Sequence, residues 1–201
     1  MGNSILLIFF LIPLFLLATS FTRIFIILSF LKRGLGDIGL PSGQILFGLA
    51  LLFSIIVMRE PLNEIYTHSF IPYTEGKKTV SDVLKESEVP LRVFMAEQVS
   101  TSDLDFVKKY SHVKAEETQA PFTVLLGAFT LSELKKGLLM GFLLWIPFLI
   151  VDLVVSTFIA TVGIHSLSTA LIALPLKILL FLAVDGWKLI FGSIAESYWV
   201  R

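Results

Sequence analysis

G-F-L-L-W-I-P-F-L-I-V-D-L, at Gly141–Leu153, sets a proline and a carboxylate inside an apolar run. Related combinations return as A-L-P-L-K at Ala173–Lys177 and V-D-G-W at Val184–Trp187. Two apolar stretches, Leu138–Val162 and Ser168–Phe191, carry these motifs, and the short segment Gly163–Leu167 joins them. Each approaches or exceeds the ~20 residues that a helix needs to cross a bilayer. A charge at mid-bilayer depth costs about 2.5–3.5 kcal/mol on insertion scales, so such groups face protein or water rather than lipid. A hairpin that keeps Asp152, Lys177 and Asp185 is therefore expected to pack against partners or line a conduit.

Asp152 lies about 11 residues before Gly163, and Lys177 about 9 after Ser168. At 1.5 Å per residue both stand about 14–17 Å from the turn, where pairing would relieve the cost of burying either. Three readings follow: an ion pair that fixes the hairpin, a proton or ion relay, or contacts to another subunit. Asp185, eight residues beyond Lys177, is placed to join the same network or to reach the far interface. Pro147 and Pro175 remove backbone donors and are expected to break or bend their helices. Membranes tolerate such breaks where neighbouring protein or water satisfies the freed backbone.

Working outward, the whole chain is 55% hydrophobic and 16% charged. An ordinary soluble domain has about 45–50% apolar and ~25% charged residues. The apolar residues form long runs, the pattern of an integral membrane protein. A net charge of zero gives no reason to expect a nucleic-acid partner. With no cysteine, disulfides and thiolate metal sites are excluded. The histidines His68, His112 and His165 are scattered, and no H-E-x-x-H, G-x-S-x-G, P-loop or dinucleotide pattern occurs. Asp152 and Asp185 as an intramembrane catalytic pair is the weaker reading, because Lys177 offers a simpler partner. No enzyme, cofactor or metal is expected, and the 18 phenylalanines read as packing.

Towards the N-terminus, Ser4–Leu31 is the first hydrophobic segment. Ile5–Leu17 resembles a signal-peptide core, but no Lys or Arg precedes it and the run continues past Arg23, so a retained membrane helix is expected. The myristoylation pattern fits poorly because Leu6 occupies the position that takes Ser or Thr. Arg23 either snorkels to an interface or makes a buried interhelical contact. Lys32 and Arg33, ahead of a Gly- and Pro-rich loop, place that loop in the cytoplasm. Ile45–Met58 is a short second segment in which Gly48 and Ala50 permit close packing.

From Arg59 to about Thr118 the composition turns charged and mixed. Short helices are expected at Val80–Glu86, Pro90–Val99 and Asp103–Ser111, the last with a start signal at Ser102 and Asp105. By the orientation of Lys32 and Arg33, this insert lies outside the cytoplasm. It is too small to bury much core alone and is expected to dock on neighbouring subunits. Pro121–Phe129 is apolar again, and Ser132–Lys136 returns charge before the hairpin. The expected fold is an all-α membrane protein with four hydrophobic helical segments forming hairpins plus a small extracytoplasmic helical insert. The divisions are 1–58, 59–120 and 121–201.

Several motifs together resemble the FliP/SctR family of type III secretion export-gate proteins. They are T-S-F-T-R at Thr19–Arg23, I-L-S-F-L-K-R ending at Arg33, P-x-x-Q at Pro41–Gln44 and P-L-R-x-F-M at Pro90–Met95. S-E-L-K at Ser132–Lys135, I-P-F-L-I-V-D-L at Ile146–Leu153, A-L-P-L-K and V-D-G-W complete the series. T-S-F-T-R and A-L-P-L-K place the likeness with the flagellar branch rather than the virulence-associated one. The resemblance implies a pentamer-type homo-oligomer with FliQ-like and FliR-like subunits, working with FlhA-like and FlhB-like export proteins. That assembly would be the channel through which unfolded export substrates leave the cytoplasm, in the bacterial inner membrane at the flagellar basal body, with a periplasmic insert. The hairpins of that assembly stand largely lifted out of the bilayer, which would explain the charges and the short second segment. The family's gate turn is rich in methionine, a flexible seal. Here the matching positions, Ile164, His165, Ser166, Leu167, Ser168 and Thr169, hold none, and Gly163, Ile164, His165, Ser166 and Leu167 are the expected pore turn. Ile164 and Leu167 can still supply an apolar ring, and this departure from the family leaves three expectations for the seal: leakier, pH-sensitive through His165, or differently built.

Overall fold

The computed structural model describes residues 15–36, 41–111, 120–163 and 168–199, and every regular element among them is helical. In order these are α1 (Phe21–Leu35), α2 (Gly43–Val57), α3 (Arg59–Ile65), a π-helical turn (Tyr66–Phe70) and α4 (Ile71–Thr74). Then come α5 (Val80–Gln98), α6 (Thr101–Tyr110), α7 (Phe122–Val162), α8 (Thr169–Ala183) and α9 (Gly186–Trp199). Among the described residues only α7 is long and apolar enough to cross a membrane alone. Two further spans arise only if bent pairs count: α2 with Arg59–Thr74, bent by 77°, and α8 with α9, bent by 59°.

The two breaks expected at prolines are absent, and the segments on either side of Ser132–Lys136 are continuous. Pro121 lies just before α7, and the apolar stretch to Phe129, the charged Ser132–Lys136 and the third hydrophobic segment are one helix of 41 residues. That helix runs on through Pro147, and α8 runs on through Pro175. A proline costs a helix one hydrogen bond and a steric clash, about 3 kcal/mol. Ending the helix in apolar surroundings would strand several peptide groups, which is worse. The break comes instead at V-D-G-W. Asp185 takes φ +49°, the left-handed region. Gly186 leaves no room for a Cβ, which would meet the Phe181 ring at 2.2 Å.

The two expected helices at Val80–Glu86 and Pro90–Val99 are likewise one, α5, with Pro90 buried in its interior. Thr79 opens it with a capping box: Asp82 N donates to Thr79 Oγ1 at 3.3 Å, and Thr79 N donates to Asp82 Oδ2 at 2.9 Å. The cap of α6 is Ser100, whose Oγ accepts from Asp103 N at 3.2 Å. Sequence reading set the same Ser-x-x-Asp signal two residues late, at Ser102 and Asp105.

The chain forms two compact units, each discontinuous in sequence, unlike the three consecutive divisions read from sequence. One comprises Met1–Thr22 with Leu51–Lys136, the other Arg23–Ala50 with Gly137–Arg201. In the first, Met58 is fully buried, with Ser20 N directed at its sulfur at 3.4 Å, and α5 sets Phe94 edge-on to Phe129 at 5.9 Å. In the second, α1 lies against α7 on Gly137 and Gly141, one turn apart. A Cβ at Gly137 would stand 3.2 Å from the Arg23 backbone, and one at Gly141 2.5 Å from the Phe30 ring. This is the small-xxx-small device of membrane helices. Gly48 does not play the packing role expected of it, since nothing stands within 4 Å of its Cβ direction, whereas Ala50 is fully buried.

Candidate functional site

α7 and α8 run antiparallel in the second unit and meet on Val155, Ile159 and Ala173. One turn of helix further from the loop, Lys177 Nζ donates to Asp152 Oδ2 at 2.6 Å. The lysine side chain is 7% exposed and the aspartate 44%, so the cation is sunk between the helices while the carboxylate opens outward. The pair therefore has one sealed end and one accessible end.

Asp185 does not join it. Its carboxylate bridges Lys188 at 2.5 Å on the exposed side of the α8–α9 bend. The left-handed turn that makes the bend is what aims Asp185 away. Arg23 stands elsewhere in the same unit, fully buried. Its Nη1 donates to Ser197 Oγ at 2.9 Å and to Ser197 O at 3.3 Å, and its guanidinium lies 3.8 Å over the Tyr198 ring. Of the two readings of Arg23, the buried interhelical contact is the one the structure takes. The four charges thus occupy three places rather than one network. Pro147 lines an apolar cleft of about 300 Å³ with Ile27, Met140, Ile190 and Ile194.

Gly163 ends α7 in the left-handed region, φ +75°. The rest of the expected pore turn, Ile164, His165, Ser166 and Leu167, lies outside the described residues, as does His112. Among the described residues no group of acidic residues, His and Cys is placed to hold a metal ion.

A polar cluster that sequence reading missed lies in the first unit, where α6 meets α7. Asp103 is buried; Ser132 Oγ donates to its Oδ2 at 2.7 Å, Ser100 Oγ donates to the same atom at 2.7 Å, and Lys135 pairs with Oδ1. Lys136 Nζ reaches Gln98 O at 2.7 Å. Burial pushes the Asp103 carboxyl up, but the hydrogen bonds and the Lys135 charge outweigh it and hold the group at about 2, below its ordinary 3.8. The S-E-L-K motif is thus the receptor for the α6 cap.

A helix of this apolarity, with a salt bridge sunk between it and its neighbour, defines a helical membrane protein. Curated relatives named flagellar biosynthetic protein FliP are similar over nearly the whole chain. That of Buchnera aphidicola (subsp. Acyrthosiphon pisum) is 38% identical over 93% of this chain and 50% of its own length. That of Pectobacterium carotovorum is 38% identical over 92% and 72%. That of Bacillus subtilis is 36% identical over 91% and 84%. The chain thus spans about half the Buchnera relative and most of the other two. The chain belongs to the FliP family, whose model matches residues 5–194.

Proposed function

We propose that the chain is a non-enzymatic core subunit of the flagellar type III protein export gate, forming the channel through which unfolded substrates leave the cytoplasm. The observation that carries this is the family match across residues 5–194. The surface is consistent with it: exposed apolar side chains such as Leu139, Leu143, Leu153, Phe158, Leu171 and Leu179 leave α7 and α8 needing lipid or other subunits as cover. In this reading the chain sits in the bacterial inner membrane with the insert periplasmic. It assembles as a pentamer-type homo-oligomer with FliQ-like and FliR-like subunits, near FlhA-like and FlhB-like proteins. Residues 163–167 form the pore turn.

Native mass analysis of the detergent-extracted chain, co-expressed with its neighbouring membrane subunits, tests this. A discrete ring-sized assembly of several identical copies with smaller hydrophobic partners is expected. A stable monomer or dimer without partners would overturn the proposal. The second reading, an ion-coupled transporter subunit, draws on the outward-opening Asp152. It requires ion flux that needs the Asp152–Lys177 pair without any oligomeric ring.

A further inference from the structure

Within the second unit, α7 divides into two stretches by what covers it. As far as Phe148 it is held against α1. A Cβ at Gly137 would stand 3.2 Å from the Arg23 backbone, one at Gly141 2.5 Å from the Phe30 ring, and one on Gly34 of α1 2.5 Å from the Phe148 ring. Beyond Phe148 its buried side chains are Val155 and Ile159, both packed with Ala173 of α8. The seam falls beside Pro147, which has no amide hydrogen to offer the Leu143 carbonyl, so the helix is one bond short there. The other strand of the hairpin has its own weak point. α9 is held on α1 through the Arg23 contacts with Ser197 and Tyr198. Between α8 and α9 the chain bends by 59° at left-handed Asp185. Asp185 N donates to Leu182 O at 3.1 Å, and Asp185 O accepts from Leu189 N at 3.1 Å, so one residue closes α8 and opens α9. Pro147 stands about 16 residues before Gly163 and Asp185 about 17 after Ser168. Both weak points therefore lie at one level, about 24–26 Å from the loop.

We propose that the end of the α7–α8 hairpin swings as one rigid body about a hinge line through Pro147 and Asp185–Gly186. Its two helices move together because the Asp152–Lys177 pair at 2.6 Å and the Val155, Ile159 and Ala173 contacts tie them. Hinges are a few positions at the ends or weak points of elements that absorb the change in backbone angles. At Gly186 the Phe181 ring rests on bare backbone, with no side chain to interlock, so it can slide. A close-packed interior resists such motion. Here Pro147, Leu143 and Leu144 of α7 border the cleft of about 300 Å³ with Ile190 and Ile194 of α9, which leaves room beside the hinge. The segment joining α7 to α8 rides on the moving end. In the export-gate reading, on which this consequence alone rests, the swing widens or narrows the channel.

The absence of cysteine makes every introduced cysteine unique. The full chain in detergent, diluted with unlabelled copies, carries nitroxide pairs at exposed positions, and dipolar spectroscopy reads the spread of distances. Leu139→Cys with Leu171→Cys crosses the hinge line, whereas Phe158→Cys with Leu182→Cys lies within the moving end. The crossing pair is expected to show at least twice the spread of the inner pair. Pro147→Ala restores the missing helix bond and should bring the crossing spread down to that of the inner pair. Equal spreads in the parent chain would overturn the proposal, either both narrow, a fixed hairpin, or both broad, an end that is not rigid. A crossing spread that Pro147→Ala leaves unchanged would overturn it too. If that variant does not fold, Asp185→Gly serves, because glycine frees the backbone at the bend. It should broaden the crossing pair alone, and no change would reject the hinge. Native mass analysis decides the export-gate reading separately, so failure of either is distinguishable from failure of the other.

Discussion

Lys177 and Asp152 are unequal partners. Asp152→Asn would leave an ammonium sealed between two helices, and stranding a buried charge costs about 3–5 kcal/mol. Lys177→Met would leave only a carboxylate whose side chain is 44% exposed. We therefore predict that Asp152→Asn lowers the stability of the solubilised protein by about 3 kcal/mol. Lys177→Met should cost clearly less, and the double variant should recover most of the loss in chemical denaturation. Equal losses in the two single variants would mean that the aspartate is as enclosed as the lysine. Gly137 gives a second residue-scale prediction. Alanine ordinarily gains about 1 kcal/mol over glycine inside a helix. Here its Cβ would press on the Arg23 Cα and carbonyl oxygen at 3.2 Å, backbone atoms that cannot swing away. Overpacking costs about 1–3 kcal/mol, so Gly137→Ala should be destabilising, seen as a lower melting temperature.

Between elements, the junction of α6 with α7 depends on one ionised carboxyl. Asp103 is held at about 2, against 3.8 ordinarily. A depressed acid stabilises the fold above its unfolded value, and that stabilisation is lost as pH falls from about 4 through about 2. The difference corresponds to about 2 kcal/mol. Hydrogen exchange of Thr101–Tyr110 should accelerate across that window in the parent chain. In Asp103→Asn it should be faster already at neutral pH and nearly flat across the window. What sequence reading could reach at this scale depended on distance along the chain. Counting rises from one turn set Asp152 and Lys177 at matching depth, because both helices leave the same loop. The Arg23 contact was not legible: Ser197 lies 174 positions away, and nothing local announces it. Gly137-x-x-x-Gly141 was legible, since two small residues one turn apart need no tertiary information to be seen. Pro90, Pro147 and Pro175 misled, since a proline's local cost is visible in sequence while the packing that outweighs it is not.

At the scale of the molecule, the class was written in composition, and the order of motifs carried the family. The count of spans was less legible, since length and apolarity pick out segments but not which bent pairs act as one. The pore turn gives the prediction proper to this scale. If residues 163–167 close a channel in the assembled ring, a histidine among them makes closure depend on protonation. Ion leak of the purified assembly in vesicles should rise at mildly acidic pH, and His165→Met should remove that dependence. Leak unaffected by either change would dissociate His165 from the seal.

The 41 residues of α7 have a consequence for how the chain is made. At 1.5 Å per residue the helix is about 60 Å long, roughly twice the hydrocarbon thickness of a bilayer. An insertion machinery reading Glu133, Lys135 and Lys136 in the first four to five turns has no reason to release that part sideways into lipid. On the proposed membrane placement, the nascent helix is partitioned, its later portion admitted to the membrane and its opening turns retained in water. There Asp103 can find Lys135 only after synthesis has passed both. The order of synthesis is therefore fixed by one helix: α6, made first, must wait for the charged opening turns of α7, and the apolar end follows them.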